Sequence, residues 1–374
     1  MKVMVVIGTR PEAIKMAPVA LELAKRGVDH VVCLTGQHRE LVRQVLQRFD
    51  VEPHIDLDLM TPGQTVAGVA HRVIKAMDEV IAVSKPDWVL VQGDTTTVAA
   101  AALCAAWNEV AVGHVEAGLR SGDRKQPWPE EINRIVAGHV ADRHFAPTVG
   151  ARDALLREGI DPAQIVLSGN TVIDALEIQR MNDLGPNSVV ARVPETSQLL
   201  LVTAHRRESF GKPLRDALGA VARLAATRPD LCVVYPVHPN PNVGAVATEL
   251  LGGLDNVLLV DPVDHTEMVA LLERATVALT DSGGIQEEAP ALGTPVLVMR
   301  EVTERPEAVA AGAARLVGTD TATIVEQVSL LLDDTNAHAA MSIGASPYGD
   351  GHASRRIVAS LLGEPTDEFD CERR

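Results

Sequence analysis

Short apolar runs that alternate with longer helical segments constrain the fold of this chain more than any other feature. The first run covers residues 3–7 and stops at Gly8, and the helical segment 11–26 ends at Gly27. A run that is apolar throughout is typical of a strand buried on both faces of a parallel sheet, and glycine commonly follows the last turn of a helix. This start therefore predicts the opening of a parallel α/β domain.

The same alternation continues along the chain. In the first half it predicts strands over residues 31–35, 88–92, 110–115 and 164–168, with helices over 40–49, 66–83 and 171–180. In the second half it predicts strands over 199–204, 233–237, 257–260, 277–280 and 296–299, with a final helix over 352–362. With 374 residues, 46% hydrophobic and only 2% aromatic, the chain suits two domains with aliphatic cores. We expect two doubly wound parallel-sheet domains whose boundary lies near Gly169.

The net charge and the cysteine spacing restrict the kinds of partner and metal site that we expect for the chain. A formal charge of −16 argues against a nucleic-acid surface, which needs a basic face. The apolar runs 3–7 and 98–107 are too short for a signal peptide and a membrane span, respectively. We expect a cytoplasmic protein with no nucleic-acid or membrane partner. Neither a zinc cluster nor a disulfide framework is expected, because the four cysteines are far apart and form no CxxC pair: Cys33, Cys104, Cys232 and Cys371.

The stretch VALTDSGGIQEEAP has the pattern of an anion site. It begins with the predicted strand 277–280, and either Asp281 or Ser282 can cap the helix that follows. Gly283 and Gly284 let backbone amides approach a ligand without interference from side chains. A phosphate fits such a helix start.

Glu287 and Glu288 follow about one helical turn later, near enough for a carboxylate to reach a sugar hydroxyl beside that phosphate. Spacing alone does not choose between them. An alternative is a plain strand-turn-helix corner in which the glycines only permit close packing. The stretch by itself leaves both interpretations open.

The first turn of the chain also bears on ligands. Its sequence GTRPEA lacks the G-x-G-x-x-G spacing that lets a dinucleotide pyrophosphate approach, which disfavours NAD or FAD binding there. Arg10 and Lys15 remain as cations at the carboxyl end of the first strand. Both suit a solvated surface, but ligands of open α/β sheets bind where strands end, which favours a functional role for Arg10.

Carboxylates follow two successive predicted strands. Asp94 follows the strand 88–92, where an aspartate on its own is more readily explained as a helix N-cap. Glu116 follows the next strand, and Glu130 and Glu131 begin a helix whose dipole they suit. Because successive strand ends meet at one sheet edge, we expect these carboxylates to converge as a general acid and base.

The second half places histidines at strand ends. His205 follows the strand 199–204 and precedes Arg206, and His238 follows the strand 233–237. Either histidine suits a packed surface. We expect His205 to face the gap between the halves, where it can donate to a phosphate.

Eleven motifs taken in order carry a family resemblance over nearly the whole chain: GTRPEAIKMAP, TGQHRE, GDTTT, HVEAGLR, PWPEE, GNTVIDAL, HRRESFG, YPVHPNPNV, TDSGGIQEEAP, TERPEA and SPYGDG. Together they resemble the bacterial non-hydrolysing UDP-N-acetylglucosamine 2-epimerases. Glycosyltransferases of the same two-domain GT-B type share the glycine-Glu nucleotide loop, but the joint set is specific to the epimerases.

The resemblance implies a GT-B fold with the active site in a cleft between two Rossmann-like domains. The domains are residues 1–168, with the C-terminal helix 352–374 packing back on them, and residues 169–351. It also implies a homodimer that interconverts UDP-N-acetylglucosamine and UDP-N-acetylmannosamine without NAD or metal. The route is elimination of UDP and re-addition through a glycal, and the product supplies activated N-acetylmannosamine for surface polysaccharide synthesis.

The resemblance also assigns site residues by motif. The catalytic groups are Asp94, Glu116, Glu130 and His205. Ser282, Gly283 and Gly284 hold the diphosphate, and Glu288 binds the ribose hydroxyls. Arg10, Lys15, His205 and Arg305 line the diphosphate and sugar region. A second UDP-N-acetylglucosamine is bound as an activator by Gln37, His38, Arg206 and His238.

One departure concerns the uracil. Where the family has D-P-x-x-Y-x-x-F, this chain has DPVDHTEM over residues 261–268, without the aromatic side chains. Val263 and Met268 are the matching uracil positions, and backbone groups near Val263 can still contact the base.

The implied chemistry explains the residue types. Carbon 2 of the sugar is not next to a carbonyl, so a leaving group must depart as its proton is removed, and inversion needs proton transfer on both faces. Several carboxylates, with cations for the diphosphate, meet that need. A GT-B glycosyltransferase needs an acceptor groove and one main base, and a nucleotide-sugar sensor needs no turnover.

Overall fold

A computed structural model describes residues 1–36, 39–61, 63–182, 184–204, 206, 209–342, 344 and 346–370. The chain forms two compact units. The first unit contains Met1–Ile178 and the segment from Tyr348 onward, and the second contains Gln179–Pro347. The first unit thus extends to residue 178, ten residues past the expected boundary after residue 168.

The described part of the first unit is built on a parallel sheet with the strand order β3-β2-β1-β4-β5-β6-β7. Its strands are β1 Lys2–Ile7, β2 Asp29–Leu34, β3 Ile55–Asp56, β4 Trp88–Gln92, β5 Ala111–Val115, β6 Arg143–Ala146 and β7 Ile165–Leu167. Its helices are α1 Arg10–Lys25, α2 Arg39–Arg48, α3 Val66–Ser84, α4 Thr96–Trp107, α5 Glu130–Val140, α6 Val149–Arg157 and α7 Thr171–Gln179.

The described part of the second unit is built on a parallel sheet with the strand order β10-β9-β8-β11-β12-β13. Its strands are β8 Gln198–Thr203, β9 Leu231–Pro236, β10 Val257–Val260, β11 Val277–Thr280, β12 Val296–Val298 and β13 Ala314–Leu316. Its helices are α8 Lys212–Thr227, α9 Pro241–Leu251, α10 His265–Arg274, α11 Gly283–Ala291, α12 Pro306–Ala310, α13 Thr321–Asp333 and α14 Thr335–Met341. The last helix of the chain, α15 Ala353–Leu361, belongs to the first unit.

Both sheets are doubly wound, as the sequence predicts. In the first sheet, β2 and β3 lie on one side of β1, and the chain then returns to pair β4 with the other side of β1. In the second sheet, β9 and β10 lie on one side of β8, and β11 pairs with the other side. Ligands of such sheets bind at the carboxyl ends of the strands where the order reverses. The loops after β1 and β4, and those after β8 and β11, are therefore the places to look for a site.

Apolar packing joins α15 to the rest of the first unit. Ile357, Val358 and Leu361 are buried in the same cluster as Val3 and Leu23. The helix start is held by Asp174 of α7, whose carboxylate accepts from the backbone N–H groups of Ala353 at 3.1 Å and Ser354 at 2.8 Å. These contacts explain why the chain end belongs to the first unit. Within the described residues, no helix combines the length and the apolar character that a membrane crossing requires.

Candidate functional site

The turn after β1 is stabilised by hydrogen bonds to the buried carboxylate of Glu12. The N–H of Gly8 donates to Glu12 Oε2 at 2.6 Å, and the hydroxyl of Thr9 donates to Glu12 Oε1 at 3.1 Å. A Cβ at Gly8 would lie only 2.7 Å from Thr97 Oγ1, so the close approach requires glycine. Burial raises the pKa of Glu12 to about 7 despite these hydrogen bonds. This turn fixes the backbone from which Arg10 extends.

Glu116 is a buried carboxylate with several donors on one oxygen. It follows β5 with a φ of 62°, a left-handed conformation that is uncommon for a residue other than glycine. Oε2 accepts from Lys15 Nζ, from Gln92 Nε2 at 3.0 Å and from Asn170 Nδ2 at 3.2 Å. None of the described donors binds Oε1. The arrangement holds the carboxylate in place and leaves one oxygen for a reacting group.

Asp94 is bound by an arginine, and the alternative interpretation of Asp94 as a helix N-cap is wrong. Thr95 caps α4 instead, accepting from the N–H of Val98 at 3.4 Å. The carboxylate of Asp94 accepts from Arg134 Nε at 2.8 Å and Arg134 Nη2 at 2.6 Å, both on Oδ2. Asp94 is thus available for chemistry and does not serve the helix start.

The structure distinguishes the two glutamates at the start of α5. Glu131 is buried, and its carboxylate accepts from the N–H groups of Ser121 and Gly122 at 3.0 Å and from Arg134 Nη1 at 3.0 Å. Glu130 is half-buried, and its carboxylate makes no hydrogen bond to the described part of the chain. Glu131 therefore organises the loop, and Glu130 is the one with a carboxylate to offer a substrate.

In the second unit, the turn after β11 presents an uncapped helix start. Ser282 is the N-cap residue of α11, but its side chain accepts no cap hydrogen bond. Asp281 is fully buried and its carboxylate accepts from the N–H of Arg206 at 2.9 Å instead. Among the described residues, no side chain caps the first N–H groups of α11, as an anion site requires.

Close packing does not explain the two glycines that begin α11. A Cβ at Gly283 would lie 3.6 Å from Arg206 Nη2, and one at Gly284 would lie 3.8 Å from Glu288 Oε1, both ordinary contact distances. Both glycines are helical, and neither has a positive φ. Their described neighbours thus leave room for a side chain, which favours the approach of a ligand over the corner interpretation.

Arginines surround this helix start. Arg206 Nη2 is 2.8 Å from Glu304 Oε1, Arg300 Nη1 is 3.1 Å from Glu304 Oε2, and Arg305 Nε donates to Glu287 Oε1. Burial raises the pKa of Glu304, but the three arginines outweigh it and lower the pKa to about 2. Cationic side chains and the positive end of a helix dipole therefore coincide here.

Glu288 lies one turn into α11 and is buried beside a histidine, with its Oε1 3.4 Å from His265 Nε2. Val263 and Met268, the predicted uracil positions, flank this histidine and are half-buried. His238 is exposed, and its Nδ1 accepts from the N–H of Asn240 at 3.1 Å. The predicted residues Gln37, His38 and His205 lie outside the described residues.

The sequence interpretation missed several side chains of these sites. Arg134 follows Glu131 by three residues on the same helix face, a spacing that could have revealed it. Asn170 follows the end of β7, so the strand-end rule could have included it. Glu12 and His265 carried no signal in the sequence, because only burial distinguishes them from surface residues.

These features define a class of protein: a GT-B-like α/β protein with two Rossmann-like sheets and polar groups at both switch points. A family model described as UDP-N-acetylglucosamine 2-epimerase matches residues 21–362. The chain belongs to the UDP-N-acetylglucosamine 2-epimerase family.

Known proteins similar to the chain cover nearly all of it. A UDP-N-acetylglucosamine 2-epimerase of Escherichia coli K12 is 50% identical over 369 residues, which is 96% of this chain and 98% of that protein. A crystal structure of the Neisseria meningitidis UDP-GlcNAc 2-epimerase bound to UDP-GlcNAc is 43% identical, with a TM-score of 0.90, and covers 97% of this chain and 100% of its own. A Methanocaldococcus jannaschii structure in complex with UDP-GlcNAc and UDP is 33% identical, with a TM-score of 0.80, and covers 97% and 100%.

Proposed function

We propose that this chain interconverts UDP-N-acetylglucosamine and UDP-N-acetylmannosamine. The observation that carries the proposal is the start of α11, where Gly283 and Gly284 have no packing role among the described residues and arginines surround uncapped N–H groups. Such a site suits a diphosphate. Relatives that share half of the sequence are named for this activity, and one similar structure has UDP-GlcNAc bound.

The nucleotide contacts follow from this assignment. Ser282, Gly283 and Gly284 bind the diphosphate with backbone N–H groups, and Arg305 adds positive charge. Glu288 accepts hydrogen bonds from the ribose hydroxyls. Val263 and Met268 contact the uracil, while Arg10, Lys15 and His205 serve the diphosphate and the sugar.

The proton transfers are assigned to the first unit and to His205. A base removes the carbon 2 proton while the bond from carbon 1 to the UDP oxygen breaks, and the C–H electron pair becomes the double bond of a glycal. A proton then adds to the opposite face of carbon 2, and the UDP oxygen attacks carbon 1 again. Asp94, Glu116 and Glu130 supply the carboxylates, and the donors on Glu116 Oε2 support a carboxyl group held in a fixed position there.

A second UDP-N-acetylglucosamine is proposed to act as an activator through Gln37, His38, Arg206 and His238. UDP-N-acetylmannosamine alone would then react with a lag that a trace of UDP-N-acetylglucosamine removes. Progress curves of the reverse reaction measure the lag. Curves without a lag, together with unchanged behaviour of His238→Ala, would contradict the activator role.

We further propose that the product serves surface polysaccharide synthesis. We also propose that the protein forms a homodimer. Val83 and Trp107 are exposed apolar side chains near the carboxyl ends of α3 and α4, and a dimer contact at these helix ends would cover them. Light scattering coupled to gel filtration tests this, since a monomer at micromolar concentration would contradict the dimer.

Proton NMR in heavy water tests the function and the route together. Purified protein should convert UDP-N-acetylglucosamine to UDP-N-acetylmannosamine and place deuterium at carbon 2 but not at carbon 3. Absence of conversion would contradict the function. Conversion without deuterium at carbon 2 would contradict only the elimination route.

A further inference from the structure

His265 is a buried histidine whose ring makes no ordinary hydrogen bond. It begins α10, is 6% exposed, and neither Nδ1 nor Nε2 has a hydrogen-bond partner among the described residues. An imidazole buried without partners lowers the stability of the fold, because water would otherwise satisfy both nitrogens. Its position therefore calls for a partner that arrives with a ligand or adjusts when one binds.

The nearest polar group is Glu288. His265 Nε2 lies 3.4 Å from Glu288 Oε1, just beyond hydrogen-bond length, and both side chains are buried. The same Oε1 is 3.8 Å from the position of a Cβ on Gly284. The histidine, the carboxylate and the glycine at the helix start thus form one continuous group on one side of α11.

The backbone holds His265 in this position. Asp264 caps α10 by accepting from the N–H of Glu267 at 2.9 Å, so the first helical residue is fixed relative to its helix. A small movement of the Glu288 side chain would bring Oε1 within hydrogen-bond distance of His265 Nε2, whereas a movement of the His265 backbone would disturb the cap at Asp264.

We propose that His265 is a positioning residue for nucleotide recognition. When UDP binds, Nε2–H donates to Glu288 Oε1, which orients the carboxylate so that Oε2 accepts from a ribose hydroxyl. This inference rests on the proposed function, because it assigns the ribose of UDP to Glu288. It also provides a partner for a ring nitrogen that has none in the described structure.

Calorimetric titration with UDP and with 2′,3′-dideoxy-UDP tests the proposal. His265→Phe keeps a ring but removes the donor, and should weaken UDP binding about tenfold, the usual effect of one hydrogen bond to a charged group. Binding of dideoxy-UDP, which lacks the hydroxyls, should stay within twofold. His265→Gln retains an N–H at similar reach and should recover most of the UDP affinity.

A double-variant cycle with Glu288→Met provides the control, because methionine has a similar length but no oxygen to accept from the histidine. Adding His265→Phe to Glu288→Met should weaken UDP binding no further, because the histidine acts through the carboxylate. If His265→Phe lost affinity equally for UDP and dideoxy-UDP, or bound UDP with unchanged affinity, the proposal would be overturned. The proposed function is judged separately, by whether the unaltered protein converts UDP-N-acetylglucosamine.

Discussion

Arg134 binds Asp94 through two nitrogens, with Nε 2.8 Å and Nη2 2.6 Å from Oδ2. Its third nitrogen, Nη1, donates to Glu131 Oε2 at 3.0 Å. One arginine of α5 therefore connects the carboxylate after β4 with the carboxylate that organises the loop before α5. A fixed carboxylate transfers protons more efficiently than a mobile one, because the geometry exists before the substrate arrives.

Arg134→Lys tests this positioning. Lysine keeps the positive charge, but its single ammonium group cannot contact Asp94 and Glu131 through separate nitrogens as the guanidinium does. Turnover should therefore fall at least about tenfold, while UDP affinity stays within about twofold. Arg228→Lys is a matched control, because Arg228 makes a two-point contact with the exposed Asp333. NMR rates and calorimetry measure both variants, and normal turnover in Arg134→Lys would contradict the role.

Substitution of the three candidate carboxylates should separate chemistry from binding. Asp94→Asn, Glu116→Gln and Glu130→Gln keep the shape but lose proton transfer, so each should reduce turnover roughly a hundredfold or more with UDP binding largely kept. A variant that eliminates but does not re-add should release the glycal and free UDP. Near-normal turnover in all three would refute these assignments.

Glu131→Gln provides the contrast within the same motif. Its carboxylate accepts from two loop N–H groups and from Arg134, so the variant should lower the melting temperature, unlike Glu130→Gln. Thermal unfolding compares the two, and equal melting temperatures would argue against the division of roles.

The apolar strands were predictable because burial on both faces leaves a continuous signal. The predicted ranges 88–92 and 277–280 are confirmed by the buried strands β4 and β11 without a change of boundary. The range 257–260 is confirmed by β10, which is an edge strand and only half-buried. The strands β6 and β13 were missed because they are short and contain arginine, and pairing with β5 and β12 defines them. Such strands depend on contacts that lie outside their own sequence.

The candidate site was only partly predictable. Strand ends indicated Asp94 and Glu116, since the parallel sheet brings such ends to one edge. The alternative of an N-cap at Asp94 was one residue too early, because Asp94 and Thr95 are both good N-cap types and only geometry shows that Thr95 caps α4. The contact between His265 and Glu288 joins two helices and has no local sequence pattern.

The glycines of α11 yield a prediction about ligand approach. Gly284→Ala should fold without strain, since a Cβ there has only ordinary contacts, but it should reduce the rise in melting temperature caused by UDP. Gly284→Val and Glu288→Ala should abolish that rise. Gly219→Ala, in α8 with no described atom within 4 Å of its Cβ position, should keep it. An unchanged UDP shift in the Gly284 variants would restore the corner interpretation.

Glu12 makes the stability of the first unit depend on pH. Burial raises its pKa from 4.5 to about 7, so between these values the folded protein keeps a proton that the unfolded chain releases. The free energy of unfolding therefore falls as pH rises through this window. The stabilisation is fully present below pH 4.5 and is lost by about pH 7. The shift corresponds to about 3 kcal/mol.

Glu12→Gln should remove that dependence, because glutamine keeps an acceptor for the N–H of Gly8 and does not titrate. The free energy of unfolding of the variant, relative to the unaltered chain, should rise by about 3 kcal/mol between pH 4.5 and pH 8. Urea unfolding followed by tryptophan fluorescence measures this, since all three tryptophans belong to the first unit: Trp88, Trp107 and Trp128. Other titrating groups are common to both proteins and cancel in the difference. Parallel stability curves for Glu12→Gln and the unaltered chain would show that Glu12 is ionised over the whole range, and that burial does not control its proton.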